Sequence, residues 1–139
     1  TWSWDVDAPR PELRGSATTI TTEHPFLGGL ELVADHAPDG SMPELLFCDN
    51  ETNAARLFGS TASPAYPKDG INDHVVSGAA SVNPEGRGTK ASFWYRVAVE
   101  PGATVELRLR LRPSGRTRSP WADFDEVIAA RKPGSPRNF

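Results

Sequence analysis

Residues 90–112 read KASFWYRVAVEPGATVELRLRLR and carry the most regular pattern of the chain. Apolar and polar side chains alternate on both sides of Pro101-Gly102, which is typical of two strands joined by a turn. The pattern therefore predicts an antiparallel hairpin with one apolar face. The residues expected on that face are Ala91, Phe93, Tyr95, Val97, Val99, Val105, Leu107, Leu109 and Leu111.

This predicted hairpin cannot be stable alone. Burying the four aliphatic side chains of residues 105–112 contributes roughly 6 to 12 kcal/mol, whereas ordering the backbone of these eight residues costs about 8 to 16 kcal/mol. A second sheet must therefore cover the apolar face, and a β-sandwich supplies one. We expect Val97, Val99, Leu107 and Leu109 in the core of that sandwich.

The other face of the second strand carries Arg108, Arg110 and Arg112. A row of arginines could bind phosphate groups, but Glu106 shares this face and no aromatic residues are interleaved for stacking. We therefore favour a solvated outer face of the sheet.

Several other segments indicate further strands and one C-terminal helix. Alternating tryptophans, β-branched runs and apolar runs predict the strands, and helical spacing of apolar residues behind Asp123 predicts the helix. The predicted fold class is mainly β: an antiparallel β-sandwich with one short internal helix and a C-terminal helix. The strands are expected around Trp2 and Trp4 and at 16–22, 27–34 and 43–48, and the helix contains Phe124, Val127, Ile128 and Arg131.

The internal helix is expected between Asp49-Asn50 and Gly59, in the second part of LLFCDNETNAARLFG, residues 45–59. Asp49-Asn50 are good N-cap residues after a buried strand, and Gly59 is a good left-handed stop. Glu51 in the first turn and Arg56 near the end would complement the helix dipole.

Polar residues are unusually dense in this helix and in the following segment, 66–78, YPKDGINDHVVSG. Polar groups close to a core need hydrogen-bond partners, so we expect the two clusters to satisfy one another or a ligand. Ile71, Val75 and Val76 fit either one helical turn or an irregular crossing segment. The candidate residues, as groups near a substrate or at a domain interface, are Asn50, Glu51, Asn53, Arg56, Lys68, Asp69, Asn72 and Asp73.

Two ion pairs are available within this candidate site: Arg56 with Asp69 or Asp73, and Lys68 with Glu51. If the first pair is partly buried, removing Arg56 leaves an uncompensated charge, which costs about 3 to 5 kcal/mol.

Two other readings of the acidic residues remain open. Asp49, Asn50, Glu51, Asp69 and Asp73 offer the oxygen ligands that calcium prefers, although their spacing matches no calcium loop. The carboxylates among them could also form an acid/base pair. We predict no metal, no cofactor and no catalytic residue in this chain.

The amino-acid composition restricts the classes of molecule that this chain is expected to bind. The net charge is −3 with both signs interspersed, which gives no attraction to nucleic acid or to an anionic membrane. Cys48 is the single cysteine, so an intrachain disulfide is impossible, and its apolar neighbours suggest a buried thiol. Without an apolar run of membrane-spanning length or a leader-like segment, the cytoplasm is the expected compartment.

A resemblance covers nearly the whole chain and adds to this reading. The blocks that carry it, in order, are Thr1-Trp2-Ser3-Trp4, Asp49-Asn50-Glu51-Thr52-Asn53, Arg56-Leu57-Phe58-Gly59, Lys68-Asp69-Gly70-Ile71-Asn72-Asp73, Val82-Asn83-Pro84, Gly88-Thr89-Lys90, Phe124-Asp125-Glu126-Val127 and Ala129-Ala130-Arg131. They resemble the N-terminal region of large bacterial and fungal glucosidase-like proteins related to glycoside hydrolase family 63.

The resemblance implies a β-sandwich that precedes a helical (α/α)6 barrel, with the catalytic carboxylates in the barrel. Such enzymes invert at an α-glucosidic bond, with an acid and a base roughly 6.5 to 9.5 Å apart. Residues 1–139 are then a single β-sandwich domain or part of one, from the N-terminal portion of a larger protein. The implied partners are the (α/α)6 domain of the same polypeptide and an oligosaccharide or glycoside.

The expected function is therefore a non-catalytic domain that scaffolds the barrel and shapes its substrate pocket. The alternative is a free-standing carbohydrate-binding β-sandwich, for which Tyr66, Trp94 and Trp121 offer stacking surfaces. Tryptophans exposed in one plane would favour the alternative.

Overall fold

The computed structural model describes residues 10–132 of the chain. Its elements, in chain order, are β1 (Leu13–Ser16), β2 (Thr19–His24), β3 (Gly28–Ala34), β4 (Glu44–Cys48), α1 (Ala54–Phe58), α2 (Gly70–Ser77), β5 (Arg87–Gly88), β6 (Lys90–Trp94), β7 (Leu109–Pro113) and α3 (Phe124–Arg131).

The strands form two antiparallel sheets. The larger sheet has five strands in the order β5-β1-β2-β3-β7, and the smaller sheet pairs β4 with β6. The prediction of a mainly-β, antiparallel fold with a C-terminal helix is confirmed. The described chain has two internal helices rather than one, because the segment after Asp69 forms α2.

The two sheets face one another at one end of the larger sheet. Gly15, Ile20, Leu32 and Leu111 lie in one row across β1, β2, β3 and β7, and directly opposed residues share a face. A Cβ atom on Gly15 would lie 2.6 Å from Cζ of Phe47, so β4 packs against this face at β1. The fold is a sandwich whose second layer is only two strands wide.

The core is built around β4. Leu46, Phe47 and Cys48 are its largest fully buried side chains, and the chain returns to β4 at Thr89, whose N–H donates to the carbonyl of Cys48 at 3.1 Å. Ile20, Val33, Ala34 and Ala37 are also buried, as is Pro43, directly before β4.

The predicted hairpin between residues 91–99 and 105–111 is wrong. β6 pairs with β4 and β7 pairs with β3, while residues 95–108 lie outside helices and strands. Alternation identifies the residues that share a face but not the partner strand. Here β7 extends the larger sheet at β3, and β6 pairs with β4, the most deeply buried strand, to form the smaller sheet.

The predicted core is also wrong at Val97, Val99, Leu107 and Leu109, which are all exposed. The smaller sheet reaches the β1 end of the larger one, and Leu111 at the β7 end of the row is 65% exposed. An apolar sheet face therefore remains open around β7.

The arginine face of β7 is covered rather than solvated, which corrects the expectation for Arg108, Arg110 and Arg112. The side chains of Arg110 and Arg112 are 21% and 15% exposed, and the guanidinium of Arg108 lies 5.3 Å from the ring centroid of Phe124 in α3. Arg110 and Arg112 also donate to the carbonyls of Pro120 and Arg118, so the loop before α3 packs on the polar face of the strand.

Other strand predictions agree with the structure within a few residues. Segments 27–34 and 43–48 match β3 and β4, whereas segment 16–22 contains the turn between β1 and β2. The strand expected around Trp2 and Trp4 lies outside the described residues.

Candidate functional site

Helix α1 begins later than its sequence suggests. Asn53 is the N-cap, and its side-chain oxygen accepts from the N–H of Arg56 at 3.1 Å. The expected caps, Asp49-Asn50, instead use their backbone N–H groups elsewhere, and Glu51 lies before the helix. Gly59 ends α1 in the left-handed conformation, as predicted.

Residues 49 and 50 are held by neighbouring loops. The N–H of Asp49 donates to the carbonyl of Tyr66 at 2.7 Å, and the N–H of Asn50 donates to Oγ1 of Thr89 at 2.8 Å. These bonds hold residues 49–50 outside the helix, which begins at Ala54.

Four of the candidate residues meet around one guanidinium, and we call Asn53, Arg56, Asp69 and Asp73 the Arg56 cluster. Nη1 of Arg56 lies 3.3 Å from Oδ2 of Asp69 and 3.1 Å from Oδ2 of Asp73. Nδ2 of Asn53 donates to Oδ2 of Asp69 at 3.0 Å. The predicted pairing of Arg56 with an aspartate is confirmed, and it joins α1 to α2.

The other candidate residues do not join this cluster as expected. Glu51 forms an ion pair with Arg10 rather than with Lys68, so the predicted Lys68–Glu51 pair is wrong. Lys68 contributes backbone groups: its N–H donates to the carbonyl of Glu51 at 3.0 Å, and its carbonyl accepts from Nζ of Lys90 at 2.9 Å. The amide of Asn72 donates to Oδ1 of Asp73 at 3.3 Å.

The cluster is accessible to solvent. The Arg56 side chain is 62% exposed, which lowers the expected cost of removing it, because water screens exposed ion pairs. Burial disfavours ionisation of Asp69, but hydrogen bonds from Asn53 and Arg56 outweigh it and hold the pKa of Asp69 below its usual value. Asp69 is therefore ionised at neutral pH and is not suited to donate a proton as a general acid.

Helix α2 is fixed to the core by a close backbone contact. A Cβ atom on Gly70 would lie 2.1 Å from the carbonyl oxygen of Ser81, and the hydroxyl of Ser81 donates to the carbonyl of Gly70 at 2.7 Å. The Cys48 thiol beneath is buried, and burial raises its pKa. Cys48 is therefore a packing residue.

The sequence pattern does not indicate a second group of polar and aromatic residues that meet in the structure. We call Glu44, His74, Trp94 and Arg96 the Glu44 cluster. Oε1 of Glu44 lies 3.3 Å from Nε2 of His74, and Oε2 accepts from Nη2 of Arg96 at 3.1 Å. The Arg96 guanidinium lies 4.4 Å from the centroid of the Trp94 ring, and His74 meets that ring edge-on. Glu44 and His74 are far in the chain from Trp94 and Arg96, and the β4–β6 register, which places Glu44 opposite Trp94, reveals the group.

The acidic residues do not converge as calcium ligands would. Within residues 10–132 no group of three or more His, Cys, Asp or Glu side chains is placed to hold a metal ion. Asp69 and Asp73 face a guanidinium, and Glu51 faces another. Among the described helices, none has the length and apolar character needed to cross a bilayer.

Comparison with known proteins gives one curated relative of greater length. The uncharacterized protein YMR196W of Saccharomyces cerevisiae is 31% identical over 134 aligned residues, which cover 79% of this chain and 12% of the yeast protein. The chain thus spans about an eighth of the length of that relative. No protein-family model matches the chain, and no solved structure matches it.

Proposed function

We propose that this chain is a non-catalytic N-terminal domain of a family 63-like glycoside hydrolase. In this proposal it scaffolds the (α/α)6 barrel of the same polypeptide and shapes the edge of the substrate pocket. The catalytic acid and base belong to the barrel.

The observation that carries the proposal is the open apolar face around β7. Along the row from Gly15 to Leu111, side chains change from buried at Ile20 to mostly exposed at Leu111. Leu107 and Leu109 are also exposed, as are Val97 and Val99 in the segment before β7. Leu109 and Leu111 are alternate residues of β7 and share one face of the sheet. Exposed apolar side chains on one sheet face are typical of an interaction site, so a further domain is expected to complete the sandwich.

The yeast relative supports a larger protein around this domain, because the similar region is 12% of its length. The glycosidase class itself comes from the resemblance of the sequence blocks. Those blocks include Asn53, Arg56, Asp69 and Asp73, the residues that form the Arg56 cluster.

The Arg56 cluster has a structural role in this proposal. It holds α1 against α2, and both helices expose apolar side chains, among them Phe58 and Val76. We propose that these side chains contact the barrel while the polar cluster sets the position of the pocket edge. The low pKa of Asp69 fits such a role better than proton donation.

The experiment compares the full-length gene product with residues 1–139 as hydrolases of α-glucosides, with NMR of the released sugar to read its anomeric form. The full-length protein should release the sugar with inversion, and residues 1–139 should be inactive. Turnover by residues 1–139, abolished in Asp69→Asn or Asp73→Asn, would place catalysis in this domain. Absence of glycosidase activity in the full-length protein would refute the enzyme class.

The carbohydrate-binding alternative is less well supported. Trp94 is contacted by Arg96 and His74, and Trp121 meets Phe124 edge-on at 5.4 Å between ring centroids. Both tryptophans are half-buried, so they do not offer an open, flat platform for a sugar ring.

The cytoplasm remains the proposed compartment. Cys48, the only cysteine of the chain, is a buried free thiol, which suits a reducing environment.

A further inference from the structure

A cleft of about 250 Å³ lies between β7 and the loop that precedes α3. Its charged lining consists of Arg110, Arg112, Arg116, Arg118 and Asp123. It lies on the polar face of β7, opposite the open apolar face, and shares no residue with the Arg56 cluster. A ligand here would therefore be independent of the proposed docking surface.

Two of the arginines are fixed in place. Nε of Arg112 donates to Oε1 of Glu31 at 2.5 Å and its Nη1 donates to the carbonyl of Arg118 at 2.7 Å. Arg110 donates to the carbonyl of Pro120 at 2.7 Å and forms an ion pair with Asp123. Both guanidiniums are thus largely desolvated and oriented, while part of their five N–H groups stays unused.

The other two arginines are exposed and less restrained. Arg118 lies 3.7 Å from Oδ2 of Asp123, a carboxylate that Arg110 already engages. No carboxylate of residues 10–132 lies within ion-pair distance of Arg116. Four guanidiniums and the carboxylates of Glu31 and Asp123 leave a charge of about +2 around the cleft, by the usual protonation of these groups at neutral pH.

We infer that this cleft binds a phosphoryl dianion, either as free phosphate or as a phosphate monoester. A phosphate group carries nearly two negative charges at neutral pH and three acceptor oxygens, which matches the excess charge. Guanidinium forks bind such oxygens through paired, charge-assisted hydrogen bonds. Arg110 and Arg112 form the fixed floor of the site, and Arg116 and Arg118 close on the ligand from the loop.

The test is an NMR titration of residues 1–139 with inorganic phosphate at constant ionic strength, with chloride as the balancing anion. Backbone amides of residues 110–123 should shift and saturate. The double variant Arg116→Gln/Arg118→Gln should bind about tenfold more weakly, because two charge-assisted contacts are removed. Both side chains are on an exposed loop, so this variant should keep the fold, and the unchanged remainder of the spectrum checks that.

Arg131→Gln is the matched control, since it removes one exposed arginine outside the cleft, and it should bind phosphate like the wild type. A second titration with glycerol phosphate separates the two sources: tighter binding than phosphate assigns the site to a monoester, and equal binding assigns it to the phosphoryl group alone. Shifts that do not saturate, an unchanged affinity in the double variant, or tighter binding of succinate than of phosphate would each overturn the inference.

Discussion

Gly15 and Phe47 are in direct contact across the two sheets. A Cβ atom on Gly15 would lie 2.6 Å from Cζ and 2.7 Å from Cε2 of Phe47, whose side chain is 1% exposed. The absence of a side chain at residue 15 therefore lets the smaller sheet approach the larger one, and the covered part of the apolar face includes Ile20, which lies opposite Gly15 in β2 and is 6% exposed.

Gly15→Ala should destabilise the domain by about 1 to 3 kcal/mol, the usual cost of overpacking a core. The added methyl group would meet a ring that has no free space to move into. Urea denaturation measures the effect. Ser16→Ala, at the exposed neighbouring position, should change the free energy of unfolding by less than about 0.5 kcal/mol, and equal effects of the two changes would contradict the packing of Gly15 on Phe47.

Arg56→Ala should cost about 1 kcal/mol or less, because the pair is largely exposed to solvent. This replaces the larger cost expected from a buried pair. A double-mutant cycle with Asp73→Ala should show weak but favourable coupling that falls with added salt. A coupling of several kcal/mol, insensitive to salt, would mean that the cluster is buried in solution.

Asn53 caps α1 and also donates a hydrogen bond to Asp69, and different substitutions separate the contributions of these two interactions to stability. Asn53→Ala removes both the cap of α1 and the hydrogen bond to Asp69, so it should cost about 1 to 2 kcal/mol. Asn53→Ser keeps a capping oxygen but loses the amide donor, and its cost should be intermediate. If the serine variant were as unstable as the alanine variant, the cap would contribute nothing.

The pKa of Asp69 predicts a specific pH dependence. Hydrogen bonds from Asn53 and Arg56 outweigh burial and lower the pKa of Asp69 in the folded state. The ionised carboxylate therefore stabilises the fold at pH values above the pKa of the unfolded state, which is about 3.9. That stability is lost as the pH falls through the folded value. Asp69→Asn should therefore flatten the fall of unfolding free energy below about pH 5.

Part of the acid sensitivity should remain in that variant, because the pKa values of Asp39 and Asp123 are also lowered, by hydrogen bonds from Ser41 and Arg110 respectively. Asn53→Ala should flatten the curve partly, since it removes one donor and keeps the carboxyl group. An acid profile of Asp69→Asn identical to that of the wild type would contradict the assignment.

Local signals predicted several elements well. The apolar run before Asp49 indicated β4, and Gly59 indicated the end of α1, whereas the spacing of Ile71, Val75 and Val76 suggested at most one turn of α2. In each case the information lies in adjacent residues, where helical period, capping chemistry or an apolar run decides the structure.

Features that depend on distant residues were not predictable in this way. The alternation around β7 identified its two faces but neither its partner β3 nor the face that is covered within this chain. Likewise, the charge of Glu51 gave no indication that Arg10, rather than Lys68, would lie beside it. The Glu44 cluster depends on the β4–β6 register, which follows from tertiary packing.

The open apolar face predicts that substitutions at Leu111 and at Leu46 differ strongly in their effect on stability. Leu111→Ser should change the unfolding free energy of residues 1–139 by less than about 0.5 kcal/mol, because the side chain is mostly exposed. Leu46→Ala, in the buried strand β4, should cost about 2 to 5 kcal/mol. Chemical denaturation of both variants checks the prediction, and a large effect at Leu111 would mean that its face is already covered within this chain.

The most direct test of the docked-domain account is the accessibility of Leu111 in two contexts. Leu111→Cys should react rapidly with a maleimide in residues 1–139 and more than about tenfold more slowly in the full-length gene product. The native Cys48 is fully buried and gives a low background, and Arg14→Cys, on the opposite face of the same sheet, should react rapidly in both. Equal labelling of Leu111→Cys in the two proteins would show that no domain covers this face and would contradict the account.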